Sequence, residues 1–118
     1  MGKRRLANIA ISAFLVFAAL IIFNWGVIFQ RGNPVPYIVR MLTINSANTY
    51  ARVFADRNVY ITRLDNNDEL FRHIENTHNA KFAEQLGSGF MFDSDDRRII
   101  VEVEIYWRYF MVWEILNP

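Results

Sequence analysis

The stretch IIVEVEIYWRYFMVWEI, Ile99–Ile115, alternates from end to end. Its odd positions, Ile99, Val101, Val103, Ile105, Trp107, Tyr109, Met111, Trp113 and Ile115, are all apolar or aromatic, while the even ones include Glu102, Glu104, Arg108 and Glu114. A period of two places successive side chains on opposite faces of a strand, one against a core and one in water. Past Tyr106 the even face also turns apolar, through Phe110, Val112 and Leu116. Either both faces are covered there, or Phe110, Val112 and Leu116 form a surface that awaits a partner.

Working outward, Gly89–Phe92 and the polar turn Asp93-Ser94-Asp95-Asp96 precede this stretch, so Gly89–Leu116 reads as a hairpin whose second strand, Arg97–Leu116, is long. Before it, Asp65-Asn66-Asn67-Asp68-Glu69 starts a helix: Asn66 or Asn67 caps it, and the acidic pair sits where the helix dipole favours negative charge. Leu70, Phe71, Ile74, His78, Phe82 and Leu86 follow at helical spacing, with Gly87 as the stop and a weak point at Asn76-Thr77-His78-Asn79 that could divide the helix in two. Tyr50–Ala55 and Val59–Leu64 read as strands joined around Asp56-Arg57-Asn58. Tyr37–Ile44 is ambiguous between a short helix at a membrane surface and a strand, and its β-branched content leans to strand.

The segment Gln30-Arg31-Gly32-Asn33-Pro34-Val35-Pro36 is a breaker. Ahead of it, Leu6–Phe29 holds 20 apolar residues in 24, with no charge and only Asn8, Ser12 and Asn24 carrying polar side chains. At ~1.5 Å per residue such a helix rises about 36 Å, enough to cross a hydrocarbon core of roughly 30 Å. It is longer than a secretory h-region, and no small-x-small cleavage site follows at Trp25–Phe29, so it reads as a retained anchor. Lys3, Arg4 and Arg5 before it predict a cytoplasmic N-terminus and an extracytoplasmic C-terminal domain. The expected organisation is a basic tail (1–5), a transmembrane helix (6–29), a linker (30–36) and a small domain (37–118). The fold class is α+β, with a helix packed on an antiparallel sheet.

Of the 13 Lys and Arg, ten follow the span, against twelve Asp and Glu, so the domain is slightly acidic and lacks the basic stripe that nucleic acid requires. Cysteine is absent, which excludes disulfides, thiolate nucleophiles and Cys-ligated metals, and a small domain held by its core alone suits a bacterial envelope. No cofactor motif is present. His73 and His78 diverge on a helix, and Glu69 with His73 reads as a surface pair. The acidic run from Asp65 lacks the Gly and Glu of a calcium loop, holding Leu70 and Asn76 there instead. Asp93, Asp95 and Asp96, followed by Arg97 and Arg98, read as a solvated turn, and Gly87-Ser88-Gly89 as a connection rather than a nucleophile elbow.

Two functions follow from this reading. The first is a single-pass accessory or structural subunit, not an enzyme, that meets the bilayer and other membrane protein subunits. Its contacts would be an anchor seam of Asn8, Ser12, Ala19 and Gly26, running with Leu15 and Ile22 at heptad-like spacing, together with Phe110, Val112 and Leu116. The alternative is a membrane-tethered ligand or peptide sensor with a pocket lined by Trp107, Tyr109 and Trp113.

Overall fold

The computed structural model describes residues 2–117. They form two compact units, one up to Asn33 and one from Pro34 on.

The first unit is helical. Helix α1 spans Gly2–Phe23, so the basic residues expected in a tail are its first turns, and none of its side chains is buried. It is long and apolar enough to cross a membrane. The expected single helix to Phe29 is interrupted at Asn24, which has φ −106° and ψ 16°; a short helix, α2, then covers Trp25–Ile28. The side-chain amide and the backbone N–H of Asn24 both donate to the Leu20 carbonyl, at 2.8 and 3.1 Å. A polar side chain competing for the helix's own acceptor is a sufficient cause of the irregularity.

The second unit is mixed α and β. Helix α3 covers Val35–Met41, strand β1 Tyr50–Arg52, β2 Val59–Arg63 and helix α4 Asp68–His78. Strands β3 Lys81–Leu86, β4 Gly89–Asp93, β5 Arg98–Tyr106 and β6 Phe110–Ile115 complete it. All six strands join one sheet in the order β1-β2-β6-β5-β4-β3, every pairing antiparallel.

Three sequence expectations are corrected. Residues 37–44 lean to strand by composition, yet Val35–Met41 is helical: Pro34 caps it and Pro36 occupies the first turn, where a proline ring presets φ and no N–H is missed. The helix expected to reach Leu86 ends at His78. Asn79 adopts the left-handed conformation, φ 49° and ψ 50°, and its N–H closes the last turn on the Glu75 carbonyl. Phe82 and Leu86 therefore belong to β3, and Gly87, at φ 60°, opens the two-residue β3–β4 turn instead of ending a helix. Finally, the strand expected over Arg97–Leu116 folds back on itself. Trp107 and Arg108 take φ of 52° and 67°, and Tyr106 pairs with Phe110 across the turn.

Each sheet face carries a helix, and β6 buries Val112 on the α3 side and Trp113 and Ile115 on the α4 side. On one face α4 lays Leu70 and Ile74, wholly buried, against Tyr60, Phe92, Ile99, Val101, Trp113 and Ile115. Burying each such aliphatic side chain contributes about 1.5–3 kcal/mol. Phe71 sits at the centre of this side, its ring 5.0 to 5.6 Å from those of Phe82, Phe90, Phe92 and Trp113. On the other face α3 packs Tyr37 against Val59, Ile61, Tyr106 and Val112. At one edge β3 is exposed along all six residues, and its register slips between Phe82 and Glu84, leaving Ala83 as a bulge.

Candidate functional site

The turn that divides β5 from β6 decides where the candidate residues fall. Odd positions from Ile99 to Ile105 share a face with Met111, Trp113 and Ile115, because Ile105 pairs with Met111 and Val103 with Trp113. At Trp107 the left-handed backbone breaks the alternation, and its indole stacks on the preceding Tyr106 ring at 5.2 Å, among the residues under α3. Trp113 lies buried on the α4 face, while Tyr109 is 74% exposed in the turn. The three rings expected to line a pocket are thus separated. Trp107 Nε1 is enclosed with no hydrogen-bond acceptor among the described residues.

The proposed partner face is divided as well. Val112 is buried beneath α3 and cannot touch a partner; Phe110 is half-buried beside it, and only Leu116 remains open. The open apolar ground lies instead on the α4 face, at the hairpin end of the sheet. Ile105 is 56% exposed, its cross-strand neighbour Met111 is half-buried, and Leu64 and Tyr109 stand beside them, the Leu64 N–H donating to the Tyr109 carbonyl at 3.0 Å. Helix α4 is too short to shield this end of a six-stranded sheet. The sequence signal for Ile105 and Tyr109 was their place in the alternating run, but the fold-back that uncovers them was not visible there.

In the first unit a shallow groove runs along one side of α1, lined by Asn8, Ile9, Ser12, Ala13 and Val16 among others. Asn8 and Ser12, one turn apart, both line it. It continues through Ala13 and Val16 rather than through Leu15 and Ala19, and Gly26 falls in α2, beyond the irregular Asn24.

A polar cluster that sequence reading missed sits where β1 and β2 meet α4. Tyr60 Oη lies 3.4 Å from His73 Nε2, and the Tyr50 ring is 5.3 Å from the imidazole. Glu69, expected to pair with His73 one turn away, instead accepts from the Thr49 hydroxyl at 2.9 Å. Burial raises the Tyr60 phenol above its ordinary pKa, partly offset by the Arg52 guanidinium nearby. Tyr50 and Tyr60 meet His73 only through the β1–β2 register, so no local spacing announces them.

The acidic turn is satisfied internally. Arg98 donates to both Asp93 carboxylate oxygens, at 2.7 and 3.0 Å, and to Glu84 at 2.9 Å, and these bonds hold the Asp93 carboxyl below its usual range. Ser94 bridges Asp96 and the Arg97 carbonyl. No three His, Asp or Glu side chains converge in a metal-holding arrangement among the described residues. Comparison with protein-family models, curated proteins and solved structures gives no match for this chain.

Proposed function

We propose that this chain is a single-pass, membrane-anchored accessory or structural subunit. Its apolar helix is retained as a span with the N-terminus in the cytoplasm, and its small domain stands outside and binds a protein partner. The observation that carries the reading is the open patch of Leu64, Ile105 and Tyr109 around Met111. An apolar cluster left in water at one end of a sheet face is the kind of surface that protein partners bury. The α1 groove at Asn8 and Ser12 supports a second contact within the bilayer, where small and hydrogen-bonding side chains favour close helix packing. An aromatic ligand pocket finds no support in rings that lie on separate sides of the sheet.

The test is affinity purification of the intact protein from its native membrane after mild solubilisation, with Ile105→Glu and Ser12→Leu variants in parallel. A partner retained by the parent chain and lost from Ile105→Glu, with thermal unfolding unchanged, is the expected result. Recovery of a lone monomer, or of a polypeptide trimmed of its apolar helix, would sink the proposal.

A further inference from the structure

Helix α3 is apolar on two opposite sides. Tyr37 faces the sheet, its ring 5.0 Å from Tyr106 and 5.7 Å from Phe54. Val35, Val39 and Leu42, at i, i+4 and i+7, line the reverse side; the two valines are more than half exposed and Leu42 is 82% exposed. A helix apolar all round is normally enclosed on both sides, and within this unit the outer side of α3 is open.

What covers it is indicated by charge and by chain length. Arg40 flanks the strip and, with Arg52 and Phe54, lines a groove of about 490 Å³. Arg57 stacks over the Phe54 ring at 4.9 Å, so Arg40 and Arg57 stand on the α3 side, whereas the Arg52 guanidinium turns to the Tyr60 ring, 6.0 Å away on the α4 face. Residues 34–64 hold four Arg and a single acidic residue, Asp56, whereas the rest of the unit is acidic. Only six residues separate the end of α2 at Ile28 from Val35, a tether that spans at most about 25 Å. Apolar side chains edged by arginines, held that close to a membrane-spanning helix, match an anionic lipid surface: the former enter the acyl boundary and the latter meet phosphates.

We infer that the outer side of α3, with Arg40 and Arg57, rests on the headgroup layer of an anionic bilayer; this depends on α1 being a retained span. Helix α4 lies on the opposite face of the sheet and stays open to water.

The cysteine-free chain allows site-specific labelling. The full-length protein is reconstituted at one copy per nanodisc, in phosphatidylcholine with or without phosphatidylglycerol. An environment-sensitive fluorophore is placed at Val16→Cys, Leu42→Cys or Asp95→Cys, with quenching by nitroxide-bearing lipids and by aqueous cobalt. The label at position 42 is expected to be quenched by nitroxide lipid about twofold or more above the label at 95, as for a helix seated at the interface. That excess should shrink without phosphatidylglycerol and in an Arg40→Gln/Arg57→Gln background. If position 16 is lipid-quenched while 42 behaves like 95, or is shielded from both quenchers, the docking proposal fails and the anchor stands. If position 16 escapes lipid quenching, the anchor reading itself fails.

Discussion

The indole Nε1 of Trp113 donates to the Thr62 hydroxyl at 3.0 Å, and both side chains are buried between the sheet and α4. Thr62 pairs with Met111 and Tyr60 with Trp113, so the bond runs diagonally from β2 to β6 and joins the two halves of the sheet. Replacing Thr62 with Val keeps the shape and strands the indole donor. The expected cost is about 1–3 kcal/mol, read as a lower urea midpoint. A double-mutant cycle with Trp113→Phe should show coupling, and additivity would mean the bond contributes nothing.

Asn79 ends α4 in the left-handed region, at φ 49°. Ala at this position pays a steric penalty that Gly avoids, so Asn79→Ala should destabilise the domain by about 1 kcal/mol while Asn79→Gly stays within about 0.5 kcal/mol of the parent. Equal melting temperatures for the two variants would refute a conformational role for this residue.

Arg108 has φ 67° in the β5–β6 turn without the Gly or Asn such a turn prefers. Arg108→Gly should stabilise the domain by about 0.5–1 kcal/mol after allowing for glycine's greater freedom when unfolded. Thermal unfolding in detergent measures it; a lower midpoint would show that the arginine side chain outweighs its backbone strain.

His78 has its pKa lowered from 6.5, chiefly by burial, with Arg97 and His73 adding repulsion. The folded state therefore disfavours the proton that the unfolded chain accepts, so this stabilisation is full above pH 6.5 and is lost as pH falls through the depressed folded value. Denaturant titrations from pH 7.5 down to about 5 should show the decline, and His78→Gln should flatten it. The same slope in the variant would assign the effect to other groups.

The α+β class, the helix start at Asp68 and the strands at Tyr50 and Val59 were legible from hydrophobic period and, at the helix, from the acidic first turn of Asp68 and Glu69; Asn67 stands at the N-cap but makes no side-chain capping bond. Three boundaries were not, each for a local reason. Trp107 and Arg108 bend a strand with residues that rarely take positive φ, so the run of alternating residues concealed its own turn. Phe82 lies eight residues after Ile74 and extends the α4 stripe, although Asn79 has already reversed the chain. Pro34 and Pro36 signal a breaker and a helix start alike, and only the packing of Tyr37 decides between them. Of the candidate contacts, Leu116 is half exposed, and Asn8 and Ser12 are exposed like most of α1. Val112 is lost to α3, and the open patch at Ile105 depends on a fold-back whose turn residues carry no conventional sign.

The slip at Ala83 bears on how molecules of this kind tolerate crowding. Strand β3 shows its whole length to the solvent, which elsewhere invites neighbouring chains to zip together edge to edge. Here the amides on either side of the bulge fall out of step, and Lys81 and Glu84 add charge along the rim, so an incoming chain cannot keep continuous pairing beyond a few residues. A break of this kind limits how far strands can add edge to edge before pairing fails.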